Sequence, residues 1–329
     1  MAARHVITGG SGFLGLRLRA RLAARGEPVV NFDLVGQSAL ASEVYVSGDV
    51  RRPDDLAAVG FRPDDIVYHL AARQFHGDVP PRRTRLEGFM DVNLGGTRQL
   101  LEAMRRGGAR RLVFFSTDMT YGIPDQTPVA ETHRQSPLGP YGASKLAAER
   151  AIIQARQDWG LAATLLRPRL IAGKGRLGVL AKLFRLIELN APVPMIGGGH
   201  NRYQMVAVED CVTAALRASE AGFPSGPFNL GSADAPQVRD LLKRLIRRAG
   251  SRSWLLPTPA WAVKLALTSL DVLGRPLLYP EQFLIADKDY VLSTRRAEAE
   301  LGWSPTATDG DILFAAYDDY LRQGSTDSR

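Results

Sequence analysis

Three side chains in the first half of the chain are of types that, brought together, could move a proton to or from a hydroxyl-bearing carbon. An apolar run over 112–115, rich in β-formers, reads as a buried strand ending at Ser116 and Thr117. After a loop, Tyr141-Gly-Ala-Ser-Lys145 opens a segment that is helical in composition and period. A tyrosine and a lysine four positions apart share one helix face. An ammonium near the phenol favours the phenolate, so such a tyrosine could lose its proton well below its usual pKa of about 10. A hydroxyl at the strand end could hydrogen-bond the same substrate oxygen, completing an acid/base device for a reaction in which hydride leaves or arrives. Taken alone, a Tyr-x-x-x-Lys spacing also describes an ordinary solvated helix pair. It needs a partner elsewhere in the chain.

That partner is at the N-terminus, where Gly9, Gly12 and Gly15 stand between an apolar strand (5–8) and an arginine-rich helix ending at Gly26. Glycine there permits a tight turn and lets backbone N–H groups and the helix N-terminus approach a pyrophosphate. Asp33 ends a second strand, 29–33, where a carboxylate can accept hydrogen bonds from an adenosine ribose and repel a 2′-phosphate, favouring NAD over NADP. Asp49 and Val50, at a third strand end, suit an adenine edge, and a turn before a helix at 54–59 reads equally well. Leu70, Ala71 and Ala72 end a fourth strand, 65–70, and are small and apolar, as a strand passing beneath a dinucleotide requires. A long helix is expected over 88–106, and another strand over 161–167. Strands alternating with helices at this spacing predict a parallel sheet covered on both faces. Beyond about residue 170 the rhythm changes. A helix over 179–189, a short extended piece at 192–199, a helix beginning near Asp210 and a strand end at 228–231 are expected, with the remainder helical.

The 329 residues, 45% of them hydrophobic, suffice for one large core or two smaller ones. No run of 18 or more uncharged apolar residues occurs, so membrane insertion is not expected. The stretch 254–279 is the most apolar late segment, but it is broken by Pro257, Pro259, Lys264, Asp271, Arg275 and Pro276. The absence of a leader-like N-terminus and the single cysteine, Cys211, point to a reducing cytoplasm. The net charge of +8 is scattered along helices rather than gathered with aromatics, which argues against nucleic acid and for a solvated basic surface, with a smaller part in steering a polyanionic small molecule. The five histidines, His5, His69, His76, His133 and His200, lack metal-ligand spacing.

The motifs Thr8-Gly-Gly-Ser-Gly-Phe-Leu-Gly15, Asp33, Tyr68-His-Leu-Ala-Ala72, Asn93-Leu-Gly-Gly-Thr97, Ser116-Thr117, Tyr121-Gly122 and Tyr141-x-x-x-Lys145 occur in order. Together with Arg167-Pro168, Val208-Glu-Asp210, Asn229-Leu-Gly231 and Leu301-Gly-Trp303, this pattern resembles the extended short-chain dehydrogenase/reductases, the NAD-dependent epimerase/dehydratase family. The resemblance implies an α/β, Rossmann-type doubly wound parallel sheet, with an NAD-binding domain at 1–168. A smaller, mostly helical substrate domain would span 169–329, with some exchange of segments between the two. It implies Tyr141 as acid/base, Thr117 on the reacting hydroxyl, and Lys145 on the nicotinamide ribose. Gly9, Ser11, Gly12, Phe13 and Leu14 would meet the pyrophosphate, Asp33 the ribose, and Asp49 and Val50 the adenine. Leu70, Ala71, Ala72 and Ser116 would line the cofactor's path and Pro168 would lie near the carboxamide. Asn93, Arg169, Met195 and Arg202 are the substrate-side candidates. A homodimer through the helices 88–106 and 141–159 is also implied.

The reaction implied is a nucleotide-sugar epimerisation, at the 4-position first, through transient oxidation to a keto-sugar. Three departures bear on it. Asp118 is followed by Met119 where the dehydratase branch has an Asp-Glu pair, so the base needed for 4,6-dehydration is missing, while Asp118 could still act as an acid. Leu170 replaces the asparagine that usually touches the substrate diphosphate, leaving Arg169, Lys174 or Arg176 to supply charge. Arg202 is about one residue off the usual register of a diphosphate-binding arginine. The alternatives are a dehydrogenase of a sterol-like or other secondary alcohol, which the stretch 254–279 would suit if it is not plain core, and a non-catalytic NAD sensor.

Overall fold

The computed structural model describes residues 3–36, 40, 43–75, 79–175, 177–178 and 180–326; His76, Arg176 and Val179 lie outside them. The first half runs β1 (His5–Thr8), α1 (Phe13–Ala24), β2 (Val29–Asp33), β3 (Glu43–Ser47), α2 (Pro53–Ala57), β4 (Ile66–His69), α3 (Arg85–Met90), α4 (Gly96–Gly107), β5 (Arg111–Phe115), α5 (Pro140–Trp159) and β6 (Ala162–Pro168). The second half adds β7 (Leu170–Ala172), α6 (Leu180–Glu188), β8 (Val193–Ile196), β9 (Met205–Ala207), α7 (Val208–Glu220), β10 (Gly226–Leu230) and α8 (Val238–Arg248). It closes with β11 (Leu255–Thr258), α9 (Ala260–Val272), α10 (Pro280–Phe283), α11 (Arg295–Leu301) and α12 (Asp309–Thr326).

Seven strands form one sheet in the order β10-β6-β5-β4-β1-β2-β3, every pairing parallel. The order reverses between β1 and β4, which opens a crevice at their carboxyl ends where such sheets take ligands. The central strands are buried on both faces and so read as unbroken apolar runs instead of alternating ones. One face packs Leu14, Leu18 and Leu22 of α1 against Val212 and Leu216 of α7. The other packs Leu100, Leu101 and Met104 of α4 against Ala148 and Ile152 of α5. A third cluster joins Phe184 of α6, Leu245 of α8 and Ile312 of α12, and forms the core of the added C-terminal half.

The exchange between halves expected from the sequence is concrete: β10 completes the sheet beside β6, and α7 covers one of its faces. Trp303 anchors the return of the chain, its indole N–H donating to the Asp210 carbonyl at 2.9 Å while the Asp210 carboxylate accepts from Thr306 Oγ1 at 2.6 Å. Thus two of the late sequence motifs are scaffold.

Two expectations need correction. The helix expected over 88–106 is α3 and α4 joined by a π-helical turn, Asp91–Gly95, which rotates Asn93 into the interior. The late region expected to be helical contains β11, which pairs in parallel with β8. Pro257 lies within it, and proline is compatible with an edge strand but not with a helix interior.

Candidate active site

The glycine turn sits at the crevice. Gly9 has φ +75°, and a Cβ there would lie 2.6 Å from the Ala71 nitrogen, so only glycine lets the turn close onto the end of β4. A Cβ on Gly15 would lie 2.5 Å from the Gly10 Cα and the Gly9 carbonyl, which requires glycine where α1 crosses the loop. Gly12 is the N-cap of α1, with no side-chain cap and no acid in the first turn among the described residues. A positive helix terminus left open in this way fits an anionic pyrophosphate. Asp33 Oδ2 accepts the Ser11 N–H at 2.9 Å, so the acidic end of β2 is tied to the glycine turn. Asp49 is paired with Arg51 at 2.5 Å, and that guanidinium holds its carboxyl below the ordinary range. Val50 is buried against Gly96. Leu70, Ala71 and Ala72 are half-buried beside the turn. Ser116 is buried with its Oγ unpartnered by any described residue. Pro168 ends β6. The residues expected around a dinucleotide therefore gather at the carboxyl edge of the sheet, and the open helix terminus with the orphaned Ser116 hydroxyl gives NAD a fitting bed.

Tyr141 and Lys145 occupy the first turns of α5, as their spacing predicts, and both are buried. The helix packs on the turn that follows Thr117 through Gly142, whose missing side chain leaves room for the Met119 carbonyl and Pro137. Thr117 caps the short 3-10 turn Asp118–Thr120, accepting the Met119 N–H and donating to Asp118 Oδ1 at 3.2 Å. Lys145 Nζ lies 4.1 Å from the centre of the Phe114 ring, and burial lowers its pKa from 10.5 to about 7. One wall beside it is a neutral histidine. His69 Nε2 meets Thr97 Oγ1 at 2.9 Å, and Thr97 donates its own proton to the Asn93 carbonyl at 2.6 Å. Nε2 must then carry the hydrogen and Nδ1 accept from Thr8 Oγ1 at 2.7 Å, a tautomer inferred from the network. Burial first, and Lys145 second, lower the His69 pKa to about 3.

The substrate-side candidates are placed less uniformly. Asn93 accepts the Arg73 N–H at 2.7 Å and donates to the Ser144 hydroxyl at 2.8 Å, bracing α5 against the segment that follows β4. Arg169 is buried between the rings of Tyr203 and Tyr290, at 4.0 and 4.1 Å, and pairs with Asp118 at 2.6 Å. Of its guanidinium nitrogens, Nη1 donates to Asp118 Oδ2. Asp118 in turn is a buried counter-ion: burial pushes its carboxyl up, and Arg169 and Thr117 pull it back. Met195 is buried in β8. Arg202 is half-exposed and 3.4 Å from Asp289. Lys174 offers its carbonyl to Arg17.

Residues 5–231 match the NAD dependent epimerase/dehydratase family. The chain belongs to that family. It is 33% identical to a UDP-glucose 4-epimerase of Lacticaseibacillus casei, over 94% of this chain and 93% of the relative. It is 31% identical to the uncharacterized protein y4nG of Sinorhizobium fredii, over 96% of this chain and 78% of that protein. A crystal structure of a Bacillus cereus UDP-glucuronic acid 4-epimerase, in complex with UDP-glucuronic acid and NAD, superposes with a TM-score of 0.77 at 22% identity, covering 97% of this chain and 99% of that one.

In this epimerase/dehydratase-family chain, sequence reasoning missed several residues around Tyr141. Glu281, the second residue of α10, accepts the backbone N–H of Tyr141 at 2.8 Å and of Gly142 at 3.0 Å, capping α5 across 140 positions of chain. Burial raises its pKa from 4.5 to about 7, against the pull of those two N–H groups. Phe75 and Phe89 lie edge-on to Tyr141 at 5.7 and 6.0 Å, and Tyr279 stacks on Phe75 at 4.4 Å. Arg85 pairs with Asp271 at 2.9 Å beside Tyr279. No local spacing marks these residues, because all of them are remote from Tyr141 in sequence. The proline before Tyr141 was the one available signal: with Pro140 at N1 and no capping side chain at Gly139, α5 needs its acceptor from elsewhere.

Proposed function

We propose that this chain is a nucleotide-sugar epimerase with NAD as its held cofactor, inverting the sugar's 4-carbon through a transient keto-sugar. The observation that carries the reading is the buried Lys145 on the helix that also bears Tyr141, with that helix packed onto the Thr117 turn. Bound NAD would accept a hydride from the sugar carbon and later return it, so that none is consumed. Tyr141 takes the proton of the sugar hydroxyl and gives it back to the keto oxygen after the ring has turned over. Thr117 hydrogen-bonds that same oxygen, and Lys145 in its protonated form favours the phenolate. Asp118 has no part in proton transfer, since Arg169 neutralises it, and Met119 supplies no base, which disfavours 4,6-dehydration. Gly9, Ser11, Gly12, Phe13 and Leu14 hold the pyrophosphate and Asp33 the ribose. The names of the relatives support a uridine diphosphate sugar as the substrate to try first.

A second reading, net oxidation of an apolar secondary alcohol, is favoured by the Phe75, Phe89 and Tyr279 rings around Tyr141. Denaturing the purified protein and assaying released NAD and NADH separates the two. Near-stoichiometric cofactor, followed by UDP-sugar isomerisation without net NADH, supports the epimerase. Cofactor-free protein that reduces added NAD with a secondary alcohol sinks it. The groove between α4 and α5, about 570 Å³ and lined by Leu94, Leu101, Ala147 and Ala151, supports a homodimer through those helices. Analytical ultracentrifugation tests that proposal: a monomer at micromolar concentration refutes it.

A further inference from the structure

The stretch 254–279, which the sequence leaves as either core or an apolar substrate wall, is largely neither. Trp261 and Leu273 are each 74% exposed, and Leu265, Val272, Leu277 and Trp254 are more than half exposed. Trp261, Leu265 and Val272 fall at i, i+4 and i+11, so they share one stripe of α9. The opposite side of α9 is already held: Leu267 is buried, Lys264 pairs with Asp287 at 2.5 Å, and Asp271 pairs with Arg85. A helix apolar on its free face as well as its packed one has an unpartnered surface, larger than scattered exposed leucines account for.

The charges around it select the occupant. Between Ala249 and Ala286 the acids are Asp271 and Glu281, both buried and both engaged, at the Arg85 pair and the α5 backbone. The exposed charges of the segment are cations, Arg252 and Arg275. Arg82, also exposed, extends the positive rim to 3.9 Å from Asp271. An apolar stripe containing tryptophan, in a segment whose exposed charges are arginines and whose one neighbouring partly exposed carboxylate, Asp287, is neutralised by Lys264, matches the interface of an anionic bilayer. A second copy docked by the same face would set Arg275 and Arg82 against their own counterparts, and the nearest partly exposed carboxylate, Asp287, is already held by Lys264. Among the described residues no helix is long and apolar enough to span a membrane, so the contact lies in the membrane surface.

We propose that α9 and its flanks form a peripheral docking surface for anionic membranes, seating the pocket lined by Phe75, Arg85, Asp271 and Tyr279 beside the bilayer. That pocket adjoins α9, since Asp271 is part of its wall. Asp271, in the last turn of α9, holds Arg85, and the chain then passes through Tyr279 to Glu281 of α10, which accepts the Tyr141 N–H of α5.

The test is sedimentation of the full chain with vesicles of phosphatidylcholine alone and of phosphatidylcholine with one quarter phosphatidylglycerol. Binding to the anionic vesicles only, weakened by raised salt and lost at least about tenfold in Trp261→Ser/Leu265→Ser, supports the proposal. Arg252→Glu/Arg275→Glu should lose binding as well, with far-ultraviolet circular dichroism and bound NAD content showing that both variants remain folded. Wild-type protein that stays in the supernatant with anionic vesicles overturns it. So does undiminished binding by the Trp261→Ser/Leu265→Ser variant. A variant that instead dissociates a wild-type oligomer without any vesicle binding would assign the surface to a second copy, which also overturns it.

Discussion

Replacing Lys145 with methionine should make the protein more stable while removing its activity. The ammonium is fully enclosed, and its pKa is displaced from 10.5 to about 7, chiefly by burial. That displacement corresponds to ~5 kcal/mol of disadvantage for the charged form in the fold. The Phe114 ring, 4.1 Å away, recovers ~1–2 kcal/mol of this when the lysine is charged, and methionine regains part of that contact through its thioether. A net stabilisation of ~3 kcal/mol is expected for Lys145→Met below pH 7, where native and unfolded chains both carry the charge. Between pH 7 and 10.5 the native lysine is neutral while the unfolded one stays protonated. The unfolded state then binds more protons, so wild-type stability rises with pH and the advantage of the variant shrinks towards zero. Urea unfolding of cofactor-free protein at pH 6.5, 8 and 9.5 measures the trend, and turnover should fall at least about a hundredfold. A variant no more stable than wild type at pH 6.5, with a difference that does not change with pH, would refute the reasoning.

Two further outcomes rest on the buried carboxylates. Glu281 has a folded pKa of about 7 against its ordinary 4.5, so its contribution to stability is complete below pH 4.5 and is lost as pH rises through about 7. Wild type should therefore lose up to ~3 kcal/mol relative to Glu281→Gln between pH 4.5 and 8, read by urea unfolding; a difference constant with pH would show that Glu281 does not titrate there. Arg169→Met leaves Asp118 buried without its counter-charge and should cost ~3–5 kcal/mol, of which Asp118→Asn in the same chain should restore more than half. Simple addition of the two single costs would mean that the pair is not coupled.

Much of this protein is determined by residues close together in sequence. The glycine turn, the strand–helix alternation and the Tyr141–Lys145 spacing are local patterns, because a tight turn, a buried parallel strand and a helix face each depend on neighbours a few positions away. They sufficed for the sheet, the crevice and the placing of Tyr141 and Lys145 at the buried start of one helix. The tertiary structure decided what those side chains lean on. Asn93 looked like a ligand contact or a helix cap until the π-helical turn carried it to Arg73 and Ser144. Arg169 looked like a free cation until folding paired it with Asp118 between two tyrosines. Glu281 had no legible role, since a cap supplied across 140 positions leaves no periodicity or spacing behind it. Nor could hydrophobicity alone say that the apolar stretch ending at Tyr279 faces outward, because burial depends on which helix face finds a partner, and α9 finds one for a single side.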